Sequence, residues 1–319
     1  MRTTAYPARG LPARQRGAAL LTAMIIVTLI ATLAASMVWQ QWRAVQVEAA
    51  ERARTQAEWI LSGALDWAKL ILREDMKTGK ATALTEPWAV PLAEARLSTF
   101  LAADKDNNTD DGPEAFLSGS ITDVQGRYNL NSLFDDPNNP STPNTKDEVP
   151  KLLRLCDALG VDSSVPGRIV KGMSEARAGA ANAPLEPKRV SQLTWLGIDA
   201  ASVAALEPYV ALLPSKLSPT RVNINTAPRE VLQAVLADAG TAEWILQVRQ
   251  RTPFTNTAKV KTQLPGLDLD KAKIDVRSSF FEVRGRLRLA DRILEERSLV
   301  RRVAPIPEVL ERERVSSRE

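Results

Sequence analysis

The 319-residue chain has no histidine. That excludes Ser-His-Asp and Cys-His catalysis, histidine-ligated zinc and histidine pH switching. A single cysteine, Cys156, excludes an internal disulfide and a four-cysteine zinc site. Leu152, Leu153, Leu155 and Leu159 flank it, which marks it as a small buried apolar residue rather than a reactive thiol. A field of one charge sign is also missing. Of 42 basic residues, Arg2, Arg9, Arg14 and Arg16 stand in 1–17 with no acid, which leaves basic and acidic residues equal (38) in the rest. The basic pI thus belongs to the N-terminal tip, and a global attraction for nucleic acid is not indicated. Proline is absent from 18 to 86, so nothing in that stretch forces a helix to break.

What is there begins at the N-terminus. Residues 18–39, AALLTAMIIVTLIATLAASMVW, carry no charge. A helix of that length spans about 33 Å, enough for the hydrocarbon core of a bilayer. Trp39 and Trp42 stand where an interfacial aromatic pair belongs, and Arg43 is the first charge after the run. The positive-inside rule puts residues 1–17 in the cytoplasm and the rest outside. Three readings stay open from these residues. The segment is a cleaved secretory signal with Ala34 and Ser36 near the cut, a plain signal anchor, or a helix kept after a cut at its cytoplasmic end.

The third reading comes from Arg14-Gln15-Arg16-Gly17, directly before Ala18. This junction resembles the leader junction of type IV pilins and type II secretion pseudopilins. The resemblance implies that prepilin peptidase cuts between Gly17 and Ala18 and that Ala18 is N-methylated. Two positions depart from the usual pattern: Ala18 replaces Phe or Met, and Thr22 replaces Glu at the fifth mature position. In a filament that Glu would meet the terminal amine of a neighbour, a pairing that compensates two charges costly in lipid. A subunit without it suits a filament terminus, and its lack resembles the K-type minor subunit.

From Arg43 to about Lys77 the pattern stays helical, with Trp59, Leu61, Leu65, Ala68, Leu72 and Met76 at three- and four-residue spacings. Gly79 and Pro87 end it. A second short helix is expected over 85–103, packing through Trp88, Leu92, Leu97, Phe100 and Leu101. Asp104, Asp106, Asn108 and Asp110 then alternate as at the start of a calcium loop, but Thr109 and Ala115 stand where Gly and Glu are required. That argues against an EF-hand and leaves an irregular calcium site or a solvated acidic turn. Leu117, Ile121 and Tyr128 lie in strand-like segments joined by Asp123-Val-Gln125-Gly126, which reads as a β-hairpin. Asn129 and Asn131 are expected to bond nearby backbone.

Residues 135–150, with four prolines, read as a surface loop at a domain boundary. Asp135, Asp136, Asp147 and Glu148 there could lend oxygens to a metal. Helices are expected at 148–160, 164–176, 188–196, 199–212, 227–238 and 240–250, with no strand between them. In Asn223-Ile-Asn225-Thr226-Ala-Pro228, Asn225 or Thr226 suits a helix cap and Pro228 the first turn. The C-terminal segment returns to β: Phe281, Val283, Gly285, Leu287 and Leu289 alternate with charges, and a second strand is expected near 298–303. Residues 308–319 read as a frayed charged tail.

The strings Asp123-Val-Gln125-Gly126-Arg-Tyr-Asn129-Leu-Asn131 and Asn223-Ile-Asn225-Thr226-Ala resemble the K-type minor pseudopilin family of type II secretion. That resemblance implies an α+β fold: a pilin-like long N-terminal helix with a small antiparallel sheet and a large all-α domain inserted between strands. The implied parts are a cleaved leader 1–17, a membrane half of the helix 18–42, a first pilin-like part 43–134, the inserted domain 135–275, a β return 276–307 and the tail 308–319. It implies a role at the tip of the pseudopilus beside I- and J-type pseudopilins, in contact with the inner-membrane secretion platform and with exoproteins or the outer-membrane secretin. It implies no catalysis; the Trp-Asp and Gly-Ala-Glu pattern associated with calcium in the family is lacking. The alternatives are a type IV pilus minor pilin, or a membrane-anchored helix-hairpin-helix protein that binds or takes up DNA. Against DNA, the hairpins at 236–240 and 264–270 carry Asp238, Asp268 and Asp270, which oppose phosphate.

Overall fold

The fold was described from a computed structural model, which covers residues 14–97, 115–136, 138–179, 181–214, 220–289 and 292–315. The chain divides into two compact units, Met1–Trp59 and Ile60–Glu319. Helix α1, Arg14–Lys77, runs from one to the other.

In the first unit every residue from 18 to 49 is exposed. The segment 18–42 has the length and composition of a membrane span. Its hydroxyls are answered within the helix: Thr22 donates to the carbonyl of Ala18 at 2.6 Å, and Thr32 and Ser36 to carbonyls three residues back at 2.9 and 2.8 Å. Such back-bonding spares the cost of an unpaired hydroxyl in lipid.

In the second unit the last turns of α1 lie on a five-stranded antiparallel sheet. Its strands are β1 (Leu92–Arg96), β2 (Ala115–Asp123), β7 (Phe280–Leu289), β8 (Arg292–Arg301) and β9 (Glu308–Val315), in the order β1-β2-β7-β8-β9. The helix stripe Leu65, Ala68 and Leu72 packs on Phe281, Val283 and Val300, closed by Trp88. Trp88 meets Phe281 edge to face, with ring centroids 5.2 Å apart. Directly opposite one another in β2 and β7 stand Gly119 and Gly285. A Cβ on Gly119 would fall 2.7 Å from the carbonyl oxygen of Arg284, and one on Gly285 would fall 3.2 Å from a methyl of Leu61.

Among the described residues, the stretch between β2 and β7 is mainly helical. The helices are α2 (Glu148–Ala158), α3 (Val165–Ala178), α4 (Ala200–Leu206), α5 (Arg229–Leu236), α6 (Ala239–Arg251), α7 (Thr257–Gln263) and α8 (Leu269–Ala272). One core serves them, from Tyr128 and Leu130 through Leu152, Ile169, Leu206 and Val231 to Val276. Val124, Ala211 and Leu213 carry the module onto Phe280 at the start of β7. The chain therefore has the expected α+β architecture, with helices inserted between strands of an antiparallel sheet.

Several expectations need correction. The segment 85–103 is not a helix where it is described: Pro87–Ala89 is a short 3-10 turn and Leu92–Arg96 is β1. Pro87 and Pro91 prevent a continuous helix, and the free edge of β2 recruits the chain as a strand. The hairpin at Asp123–Gly126 does not form. After a 3-10 turn, β3 (Tyr128–Asn129) pairs in parallel with β4 (Val210–Ala211). The helical region also holds a second parallel pair, β5 (Val222–Asn223) with β6 (Ile274–Asp275). The segment 188–196 is a 3-10 helix over Val190–Leu196, and α4 ends at Leu206, before the strand residues Val210–Ala211. The tail is not frayed over Glu308–Val315, which is β9. Its charges are matched across the sheet: Arg312 pairs with Glu296, Arg297 reaches Glu313, and Arg189 from the helical module reaches Glu311 and Glu313. Charged side chains on an edge strand also discourage further strand addition.

Candidate functional site

The two family-like strings lie about a hundred residues apart in sequence, and the structure brings them together. Asp123 ends β2 and turns its carboxylate into the interior, where it is 4% exposed. One oxygen accepts from the backbone N–H of Gln125 at 2.8 Å. The other accepts from Asn223 Nδ2 at 2.9 Å, Thr226 Oγ1 at 2.5 Å and Ser278 Oγ at 2.6 Å. Gln125 extends the link, donating to the carbonyl of Arg221 at 3.0 Å and accepting from the N–H of Ser279 at 2.5 Å. Gly126 lies against Thr226, and a Cβ there would fall 3.0 Å from its hydroxyl. Asp123, Gln125, Gly126, Asn223 and Thr226 are thus one constellation.

Further residues complete it. Asn223 also donates to the carbonyl of Thr82 at 3.0 Å, and Thr82 Oγ1 accepts from the N–H of Ser278 at 3.1 Å and from Arg302 at 2.8 Å. Arg302 pairs with Asp75 in the last turns of α1 and donates to the carbonyl of Ser278 at 2.6 Å. The cluster welds α1, β2, β5, the lead-in to β7 and the end of β8. Burial pushes the Asp123 carboxyl above its usual range, opposed by the bonds from Ser278, Thr226, Gln125 and Asn223. Burial raises Asp75 as well, helped by the charge of Glu86 and opposed by Arg302. Thr82, Ser278, Arg302 and Asp75 carry no sequence signal, because a lone polar residue near an element end has no periodicity to read.

The remaining asparagines do the same work nearby. Asn129 accepts from the N–H of Leu213 at 3.0 Å and donates to Thr220 at 2.6 Å. Asn131 donates to the carbonyl of Leu213 at 2.9 Å and accepts from Arg177 at 2.6 Å. Asn131 thus reaches backbone far in sequence rather than nearby. Asn225 is not a helix cap: its amide bonds both the carbonyl and the N–H of Phe254, each at 2.9 Å, as a strand neighbour would. Nor does Thr226 cap α5, whose N-cap is Pro228.

The arrangement joins and positions; it presents no activated nucleophile. Cys156 is buried and its thiol is pushed up to about 12 by that burial. Asp104, Asp106, Asn108 and Asp110 lie outside the described residues. Two of the later metal-ligand candidates are engaged with cations: Asp135 pairs with Lys273, and Glu148 with Lys151 at 2.8 Å. Turns between helices do fall at 236–240 and 264–270, but amides in both are taken. Asp238 accepts from Gly240 and Thr241 N–H groups at 3.1 and 3.0 Å, and Asp268 from those of Asp270 and Lys271 at 3.0 and 3.1 Å. A DNA phosphate at either turn would meet a carboxylate.

Comparison with known proteins agrees with this layout. The family model "Type II secretion system (T2SS), protein K" matches residues 222–279, the stretch from β5 to the lead-in of β7. A Type II secretion system protein K of Pseudomonas aeruginosa is 30% identical, covering 87% of this chain and 86% of that protein. One from Klebsiella pneumoniae is 28% identical over 78% of this chain. In fold, the chain resembles one from the crystal structure of the GspK-GspI-GspJ complex of the enterotoxigenic Escherichia coli type 2 secretion system. The TM-score is 0.62 at 21% identity, covering 84% of this chain and 99% of that one. The chain belongs to the type II secretion system protein K family.

Proposed function

We propose that this chain is a minor pseudopilin placed at the tip of the type II secretion pseudopilus. There it assembles with I- and J-type minor pseudopilins to start or limit the filament and support export across the outer membrane. The observation that carries this reading is Thr22. It takes the position of the filament carboxylate, yet its hydroxyl is bonded to its own helix at Ala18. Such a subunit has no acid to offer the amine of a neighbour and suits a filament end. In this account prepilin peptidase removes residues 1–17 by cutting between Gly17 and Ala18, and Ala18 becomes N-methylated. The helix over 18–42 crosses the inner membrane once, with its N-terminus cytoplasmic and the bulk periplasmic. Its further partners in this account are the inner-membrane secretion platform and exoproteins or the outer-membrane secretin. The partners are argued from the relative solved in complex with GspI and GspJ. The buried, acceptor-saturated polar cluster supports a scaffold rather than an enzyme.

Thr22→Glu tests this. The new carboxylate lets the subunit enter the filament body, so pseudopilus length is expected to change and export to fall several-fold in complemented cells. Unchanged length and unchanged export would remove the terminus argument.

A further inference from the structure

Lys151 is the buried cation that the junction described above does not use. It projects from α2 with its side chain 4% exposed, beside Glu148, whose side chain is 1% exposed. Its Nζ lies 2.8 Å from Glu148 Oε1, 2.8 Å from the carbonyl oxygen of Lys271 and 3.4 Å from that of Ala272. Those carbonyls end α8, where a helix has no N–H of its own to offer them. The same Glu148 oxygen lies 3.2 Å from Lys273 Nζ, and its other oxygen accepts from the Tyr128 hydroxyl at 3.0 Å. Lys273 in turn pairs with Asp135. Two ammonium groups and two carboxylates therefore balance, inside a segment whose neighbours Leu152 and Leu155 are fully buried.

A lysine directed at two backbone carbonyls and a carboxylate is set as a cation would be in an oxygen cage. We infer that Lys151 is the resident cation of a carbonyl–carboxylate site that clasps α2 to the end of α8, joining the first and last helices of the inserted module. The site recognises a primary alkylammonium, which supplies three donors to three oxygens. A surface ion pair would contribute little; here Lys151 and Glu148 are both out of water. Removing Lys151 leaves the buried Glu148 with the partly exposed Lys273 alone and strips the Lys271 and Ala272 carbonyls of their donor.

The test uses the full chain in detergent micelles. Lys151→Ala removes the ammonium and three carbons, a vacancy of the shape of n-propylammonium. Its melting temperature is expected to fall by about 10 °C. About 0.1 M n-propylammonium should restore at least half of that loss, where tetramethylammonium and n-propanol do not. Lys151→Met keeps the stem without the charge and should also fall, with no rescue. A melting temperature for Lys151→Met within about 2 °C of the parent would overturn the inference. So would equal rescue by n-propanol, or no rescue by n-propylammonium. If Lys151→Ala does not fold, reductive methylation of the parent decides. Lys151 should stay unmodified while the exposed Lys171 and Lys188 react fully, and equal labelling would contradict the clasp. None of these outcomes bears on the tip assignment, which rests on Thr22.

Discussion

Asp123→Ala lowers the stability of the Ile60–Glu319 unit by about 3 to 5 kcal/mol, read as a fall in melting temperature with loss of near-ultraviolet dichroism. The carboxylate collects four donors, from Gln125, Asn223, Thr226 and Ser278. Deleting it strands them in the interior, and an unsatisfied buried donor costs about 1–3 kcal/mol. The charge it removes offsets part of that loss, because burial already raises the carboxyl's pKa. That shift fixes the sign of a pH effect. A carboxyl whose folded pKa lies above its unfolded value favours the native state most when protonated. Its contribution is full below the unfolded value and is lost as pH rises through the folded value. The gap between the parent and Asp123→Ala should therefore widen as pH is lowered from neutral into the window above 3.8, the unperturbed value. A gap that closes on acidification would mean that the four bonds to the carboxylate outweigh the effect of its burial.

Gly119 and Gly285 sit opposite one another and are expected to behave differently. A methyl on Gly119 meets the backbone oxygen of Arg284 at 2.7 Å, in the middle of two paired strands that cannot give way. Gly119→Ala should cost about 2–3 kcal/mol, at the upper end of overpacking effects. A methyl on Gly285 meets the end of the Leu61 side chain at 3.2 Å, which can rotate aside. Gly285→Ala should stay within about 1 kcal/mol of the parent, since losing glycine also reduces the entropy of the unfolded strand. Guanidinium unfolding of the two variants compares them directly. Equal losses would show that helix packing, not the strand contact, controls this part of the sheet.

Much of this fold is legible in the sequence, for particular reasons. Helix α1 follows from the proline-free stretch and from the stripe Leu61, Leu65, Ala68 and Leu72. Helices α2 and α3 follow from two helical segments set apart by the breakers Gly160 and Pro166. Strand β7 follows from strict alternation from Phe281 to Leu289. Strands β1 and β9 were hidden, because neither has the composition of a strand. Leu-Ala-Glu-Ala-Arg at 92–96 favours helix, and Glu308–Val315 is mostly charged. Each becomes a strand because a neighbour offers it an edge, and β9 because Arg189, Arg297 and Glu296 answer its charges. The two asparagine-rich strings were visible as strings, but their meeting at Asp123 was not. That meeting depends on Thr82, Ser278 and Arg302, single residues whose role exists only in the folded chain.

The claim that this chain enters the pseudopilin pathway rests on the junction at Gly17–Ala18, and the N-terminus of the native protein tests it. Intact mass and N-terminal sequencing of protein purified from its own membrane should show loss of residues 1–17 and one methyl group on Ala18. A retained leader would make it a plain signal-anchored protein, and a terminus beyond Ser36 would make it a soluble exported one; either would contradict the account.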